Sequence, residues 1–497
     1  MKRPPRATHR RAGLLAVLAA ASSCHRQAPV DAATRADASV EQSALLAPHS
    51  SAEAARCRPK SRLAEIASLS GGFEVGDALP FPGGIAVSLL HDTAEGTVAS
   101  VALLAPDGSS PRLIDLASPP GDAPPPRLAW RGKDLAVAEY VSRRKGAHPA
   151  TQELALWNVD PKASAIVSAD SDAAGSGSPP VEPSLYIPQP RDCLGFDMAY
   201  GAGGGVIAWD DATSENPPRG VIRVAAVSTD SRVEATQVVS PVDSDGEMAR
   251  VVPNGSGFFV LWIARRPERS GDAGSAGSEV SGEARAFSWI EMIAIDARAL
   301  SVSPVRRLTP PTGHVSAYDV RLLDGTPPAL PERGQNDERS PPAEAPKPTL
   351  LVVARDDGEA TDGSGGTLLR VRATDSGPEV ASDFATDGLG RGAPILVGGI
   401  EASVAPWAAW VGRDERLRLL PLDPAGAPAA ASSVEEAFDE SRPLMRLANG
   451  EQMLVATLGE ERPPASGDSD PSANGNPPAN GKKNAQPAGL AVFDCRR

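Results

Sequence analysis

The stretch GFFVLWIARR (Gly257–Arg266), followed after a polar insert by EMIAIDAR (Glu291–Arg298), carries the fold in miniature. The first run begins at a glycine and ends in two charges; the second ends in an aspartate turn. Both are too short for a core helix and rich in β-branched and aromatic residues, so each reads as a strand.

The pair recurs seven times. Companions of the first run are GGIAVSLLHD (83–92), DLAVAEYV (134–141), GVIAWDD (205–211), TLLVVARDD (349–357), APWAAWVGRD (405–414) and EQMLVATLGE (451–460). Companions of the second are VALLAPDG (101–108), LALWNVDP (154–161), IRVAAVSTDS (222–231), LLRVRATDS (368–376), LRLLPLDP (417–424) and GLAVFDC (489–495). Every second run ends in an aspartate: Asp107, Asp160, Asp230, Asp296, Asp375, Asp423 or Asp494. Asp before Gly, Pro, Ser or Ala is turn chemistry, because its carboxylate accepts from backbone N–H groups just ahead.

A weaker strand is expected after six of these turns, in PRLIDLA (111–117), SAIVSA (164–169), VEATQVVS (233–240), LSVSPVRRLT (300–309), PEVASDFA (378–385) and ASSVEEAF (431–438). A further short piece precedes the glycine turn, as in PRLAWRG (126–132), LGFDMAYGAGGG (194–205), ARVVPNGSG (249–257) and LMRLANG (444–450). Four short antiparallel strands in each of seven units is the pattern of a seven-bladed β-propeller. Tandem β-sandwiches are the rival all-β reading, and would need Greek-key crossovers in place of equivalent units. The seventh unit runs out at Asp494, so an N-terminal strand, SRLAEIAS (61–68), is expected to complete it and cover its edge.

Composition agrees. The chain has 497 residues, with 49 Pro, 47 Gly and only 4% aromatics, a punctuation that breaks helices and suits many turns. A net charge of −14 offers no basic field for a nucleic acid.

The N-terminus has a basic segment through Arg11, an apolar run (Ala12 to Ala21), the small residues Ser22 and Ser23, and then Cys24. This is a secretory signal, too short to stay as a spanning helix. It resembles the signal of bacterial lipoproteins, with Ala21 where the family usually has Leu. The resemblance implies acylation at Cys24 and a lipid anchor in the cell envelope; ordinary cleavage would leave a soluble periplasmic or secreted protein. The expected division is a signal peptide at 1–23, a disordered tether at 24–56 and the propeller at 57–497. Over that last part the chain is similar, in architecture alone, to propeller-type bacterial lipoproteins; the WD signature is absent apart from Trp209-Asp210, and no kelch pattern is seen.

The compartment permits disulfides. Cys57 and Cys495 flank the same turn if SRLAEIAS pairs with GLAVFD, which makes them the expected bridge. Cys193 then stays as a buried thiol, and a Cys57–Cys193 link is the rival pairing. No cofactor motif occurs: Gly-x-Ser-x-Gly, P-loop and zinc spacings are all missing, and the six histidines are scattered. The acidic loops DSDGE (243–247) and DDGEATDG (356–363) read as solvated turns before calcium sites. The seven tryptophans read as packing between blades. Inserts at 141–151, 211–219, 265–285 and 462–488 fall on one propeller face, where a protein or glycan ligand would bind; the insert at 325–348 falls on the other. The preferred function is a non-enzymatic binding or scaffolding module. The alternative is a glycan-active lyase or hydrolase with its site in the central channel, for which Asp197 and Asp319 on inner strands are the residues to inspect.

Overall fold

A computed structural model describes residues 56–62, 73–93, 96–105, 112–117, 125–143, 151–162, 181–189, 195–201, 203–216, 218–254, 257–266, 287–296, 301–323, 349–357, 365–372, 379–384, 393–397, 406–412, 417–423, 426–428, 444–449, 453–458 and 490–496. Of two compact units, Met1–Ala52 and Glu53–Arg497, all described residues belong to the second. Cys24, Cys193, SAIVSA, ASSVEEAF and most of the long inserts lie outside them.

The described chain is all-β, in a β-propeller-like arrangement in which five blades are recognised as such. Its first strand, β1 (Arg56–Arg62), joins the last sheet. Then come β2 (Phe73–Phe81), β3 (Gly84–Thr93), β4 (Gly96–Leu104) and β5 (Arg112–Asp115) in one sheet. The next holds β6 (Arg127–Trp130), β7 (Leu135–Arg143), β8 (Thr151–Val159) and β9 (Leu185–Gln189). The third holds β10 (Phe196–Gly201), β11 (Gly204–Ala212), β12 (Gly220–Val227) and β13 (Val233–Val238). The fourth holds β14 (Asp245–Asn254), β15 (Gly257–Arg265), β16 (Ser288–Asp296) and β17 (Arg306–Arg307). The fifth holds β18 (Val315–Leu322), β19 (Thr349–Asp356), β20 (Gly365–Arg372) and β21 (Glu379–Phe384). A three-stranded sheet of β22 (Ile395–Val397), β23 (Trp407–Val411) and β24 (Leu417–Pro421) follows. Last come β25 (Leu444–Asn449), β26 (Met453–Leu458) and β27 (Leu490–Arg496), completed by β1 in the order β1-β27-β26-β25. All the pairings are antiparallel, and consecutive strands are neighbours, as in a meander.

The first strands of the sheets touch in sequence: β2 with β6, β6 with β10, β10 with β14, β14 with β18, β18 with β22 and β22 with β25. The series returns on itself, because β25 also touches β2. Between neighbouring sheets lie the apolar cores, and the opening stretch shows why its apolar run is nearly unbroken. Phe258, Val260 and Trp262 of β15 pack towards Val206, Ala208 and Val224 of the preceding sheet. Phe259, Leu261 and Ile263 pack the other way, towards Leu350 and Val352. Both faces of the strand are covered, so alternate residues are all apolar, as in any sheet buried on two sides.

The glycine turn before each long strand has a steric cause. A Cβ at Gly204, where φ is +130°, would lie 2.5 Å from the Val227 carbonyl oxygen, and one at Gly257 2.3 Å from that of Ile295. At both places the glycine lets the second strand start against the third. Two of the aspartate turns behave as expected: Lys162 N–H donates to Asp160 Oδ1 at 2.8 Å, and Ala427 N–H to Asp423 Oδ1 at 2.8 Å; at Asp230 and Asp296 the carboxylates accept from the hydroxyls of Ser228 and Ser301.

Three details differ from the sequence reading. The closing strand is RCRPKSR, not SRLAEIAS, so Cys57 and Cys495 lie inside paired strands and not beside a turn. An outermost strand has water on its free edge and needs backbone pairing more than apolar alternation; basic residues and Pro59, at an irregularity in the register, suit such an edge. The fourth strand of the second sheet is LYIPQ, a run not among the expected strands. In the fourth sheet, LSVSPVRRLT supplies only the two-residue β17 and a bridge from Val302 to Ile295.

Candidate functional site

The innermost strands bring ionisable groups to the centre of the ring. β2 and β14 each slip register against their partners, between Val75 and Ala78 and between Glu247 and Arg250. A bulge re-aims the side chains beside it. Asp77 and Arg250 sit at these irregularities, and Asp197 and Asp319 occupy β10 and β18.

All three aspartates do the same thing: each accepts a backbone N–H from the first strand of the following sheet. Leu128 N–H donates to Asp77 Oδ2 at 3.1 Å, Val251 N–H to Asp197 Oδ2 at 2.9 Å, and Leu396 N–H to Asp319 Oδ2 at 2.9 Å. The carboxylates therefore stitch the first sheet to the second, the third to the fourth and the fifth to the sixth. An inner strand has no fourth-strand neighbour on its channel side, so its outward N–H groups need such acceptors.

Arg250 stands among them. Its Nε lies 4.0 Å from Asp319 Oδ1, and the two side chains are each only 13% exposed. Burial pushes the Asp197 carboxyl up to about 6, opposed by the Arg250 charge and the bond from Val251. Asp319 is likewise pushed up to about 6 by burial, opposed by Arg250 and the bond from Leu396. For Arg250 burial acts downwards, but the charges of Asp197 and Asp319 outweigh it and hold the guanidinium above its ordinary value. On the same strand as Asp319, Tyr318 donates from its hydroxyl to Met248 O at 2.9 Å, and burial raises its phenol well above the usual range. Arg321 is lowered to about 10 by burial.

The two candidates taken from sequence, Asp197 and Asp319, are thus brought to one cluster with Arg250 between them. The sequence reading missed Asp77 and Arg250. Asp77 lies four residues before Phe81, which pairs with Gly84 at the hairpin end, just as Asp197 lies four before Gly201, which pairs with Gly204. That spacing was the available signal.

A second polar constellation lies in the first sheet. His91 Nε2 is 2.9 Å from Ser100 Oγ, and Ser100 Oγ donates to Asp115 Oδ1 at 2.7 Å. The order is His–Ser–Asp, with a fully buried serine in the middle that gives its proton to the carboxylate. A nucleophilic triad needs the histidine in the middle. Nothing in sequence flagged this group, since its members come from three strands.

Other sequence candidates fall elsewhere. In DSDGE, Asp245 Oδ1 accepts from Gly220 N–H at 3.1 Å and Glu247 pairs with Arg265 at 2.5 Å. Trp157, Trp209, Trp262, Trp289, Trp407 and Trp410 are buried, and Trp130 is half-buried, stacked on Phe81 at 6.0 Å between centroids. Cys57 and Cys495 stand opposite one another in the β1–β27 register.

No protein-family model matches the chain, and no curated protein matches it either. Among solved structures, the acylaminoacyl peptidase of Pyrococcus horikoshii is similar at 11% identity and a TM-score of 0.40, covering 78% of this chain and 49% of that one. An acylaminoacyl peptidase in complex with Z-Gly-Gly-Phe-chloromethyl ketone gives 11% identity, a TM-score of 0.41 and coverages of 79% and 50%. A subtype N10 neuraminidase-like protein of A/little yellow-shouldered bat/Guatemala gives 9% identity, a TM-score of 0.34 and coverages of 75% and 93%. The chain spans about half the length of the two peptidases. Likenesses this distant carry nothing about activity.

Proposed function

We propose that the chain is a seven-bladed β-propeller lipoprotein, held at the cell envelope by acylated Cys24, that works as a non-enzymatic binding or scaffolding module. Seven sheets in chain order, and first strands whose contacts return from β25 to β2, support the blade number. The basic, apolar and small-residue pattern before Cys24 supports the anchor. A protein or glycan on the face bearing the inserts is the ligand class this reading favours.

One observation carries the non-enzymatic part. The inner-strand carboxylates, the groups best placed for channel chemistry, each give an oxygen to a backbone N–H of the next sheet. A general acid or base must be free to meet a substrate. These are instead fastened into the scaffold.

A second reading has its own support. Asp197 and Asp319, both pushed up to about 6 by burial, titrate in a range useful for proton transfer. Crosslinking of intact envelopes with the full-length chain, alongside a Cys24→Ala chain, tests the proposal. Expected are partners recovered only with the anchored form, release of the Cys24→Ala chain into the soluble fraction, and no turnover of envelope glycans. Unchanged membrane association would overturn the anchor. Glycan turnover abolished by Asp197→Asn or Asp319→Asn would establish the enzyme.

A further inference from the structure

We infer that the closing strand β1 is a docking edge for an anionic lipid surface: Arg56, Arg58, Lys60 and Arg62 stand in one outermost strand, beside Arg496 of β27, at the point where the chain first enters the fold after Cys24. The inference rests on the reading of Cys24 as the anchor, and names what the folded part adds to it.

The charge is in the sequence; the topology gathers it at one edge. β1 reads RCRPKSR, with four basic residues in seven and no acid. In the order β1-β27-β26-β25 it is outermost, with β27 as its one neighbour in the sheet. That neighbour, LAVFDCR, adds Arg496 and a single acid, Asp494. The chain as a whole has a net charge of −14, so this edge carries the opposite sign to its protein. In register, Arg58 meets Asp494, but Arg56 meets Arg496. Like charges directly opposite one another weaken a strand pair. An anionic surface lying along the edge relieves that repulsion.

Protection of a free edge does not ask for so much charge. A lysine or a proline blunts an edge against pairing with another chain, and Pro59 is already in the strand. The other fourth strands are built differently. RLID is balanced, LYIPQ is uncharged, and VEATQV and EVASDF carry acids and no base. Among these strands only the two-residue RR of β17 shares the sign.

Position along the chain selects a membrane as the partner. Arg56 follows Cys24 by 32 residues, which span at most roughly 110 Å when fully extended. The last sheet is therefore the one that the covalent path from an acylated Cys24 reaches first. A surface charge acts over only about 8 Å at physiological salt, so a basic strand is useful to a membrane-held protein where the anchor leads. Near an anionic leaflet each basic residue is worth roughly fivefold in partitioning. The acyl chains hold the protein; the strand sets which edge of the ring faces the lipid. Because salt screens this attraction, a chain without the acyl group still comes free at ordinary ionic strength.

The test uses the mature chain from residue 24 with Cys24→Ala, so that no acyl chain contributes. At low salt, vesicles of phosphatidylglycerol and phosphatidylcholine in equal parts should sediment at least roughly tenfold more protein than pure phosphatidylcholine does. Arg58→Gln/Lys60→Gln/Arg62→Gln should lose that excess. Lys133→Gln/Lys162→Gln, exposed at the second sheet, should keep it. Equal binding to the two vesicles, or equal loss in the two variants, would overturn the docking edge. Either result leaves the anchor standing, because acylation is read separately, from the mass of the wild-type N-terminus. Capture by soluble dextran sulfate without binding to vesicles would assign the strand to an acidic macromolecule and overturn the lipid reading. Should the triple variant not fold, salt decides on the unchanged strand. About 0.5 M NaCl should release the vesicle-bound chain, and binding that survives it would overturn the proposal.

Discussion

Cys57 of β1 stands directly opposite Cys495 of β27 in antiparallel register, flanked by the pairs Arg56–Arg496 and Arg58–Asp494. Directly opposed residues in such a pair have Cα atoms roughly 4.5–5.5 Å apart, within the span of about 4.4–6.8 Å that a disulfide bridges. The bridge would join the closing strand to the last sheet across a loop of over four hundred residues. In the chain-entropy view that contributes up to roughly 5–6 kcal/mol. Peptide mapping without reductant should recover Cys57 linked to Cys495, and Cys495→Ser should lower the unfolding midpoint markedly under oxidising conditions only. A Cys57–Cys193 peptide, or a freely alkylated Cys495, would remove the bridge.

The stitch from β2 to β6 is open to a cleaner test than those around Arg250. Asp77 Oδ2 accepts from Leu128 N–H at 3.1 Å, and Oδ1 from Ala78 N–H at 3.0 Å. Asp77→Ala strands the Leu128 N–H between two sheets and should destabilise by about 1–3 kcal/mol. Asp77→Asn keeps an acceptor and should recover at least half of that. Denaturant midpoints for the three chains check the ranking; an Asn variant as weak as the Ala variant would show that charge, and not the stitch, is what matters.

Much of the architecture was legible because blades of this kind cover their long middle strands on both faces. The runs GFFVLWIARR and TLLVVARDD are apolar on every residue that meets a neighbouring sheet, and became β15 and β19 nearly to the residue. The outermost strands have no such constraint. RCRPKSR and LYIPQ pair through their backbones, and their composition carries little of that. The cluster was half legible. Asp197 and Asp319 are the one acid in each of their inner strands and stand out at once. Arg250 and Asp77 owe their positions to register slips, which no alternation pattern encodes. The His91–Ser100–Asp115 chain depends on which residues meet across three strands, so it needed the register itself.

The His91–Ser100–Asp115 chain should lose its contribution to stability in acid. The hydrogen bond with His91 comes first, and with the Ser100 bond and the His91 charge it outweighs burial, holding Asp115 below its ordinary value. The folded carboxyl is thus depressed, and its contribution is present above the unfolded value and lost as pH falls through the lower folded one. With Asp115 about half exposed, the effect is screened and small. Between pH 5 and pH 3 the wild type should lose its advantage over Asp115→Asn, read as converging thermal midpoints. An advantage that widened on acidification would contradict the assignment.

Arg131, in the turn between β6 and β7, ties the second sheet to the third by several bonds at once. Its guanidinium donates to Asn158 Oδ1, to Ser231 Oγ at 3.2 Å and to Thr229 O at 2.5 Å, and its Nε lies 3.4 Å from Asp134. The same group sits over the Tyr200 ring, 5.2 Å from its centroid, and the side chain is only 7% exposed. A planar fork can meet these acceptors and lie over an aromatic face together; an ammonium on a flexible stem cannot. Arg131→Ala should cost about 2–3 kcal/mol, the range for hydrogen bonds to a charged group whose partners are left buried. Arg131→Lys keeps the charge and should regain little of it. If charge alone held this joint, the lysine chain would unfold at the wild-type denaturant midpoint, and the fork geometry would have no part in joining the two sheets.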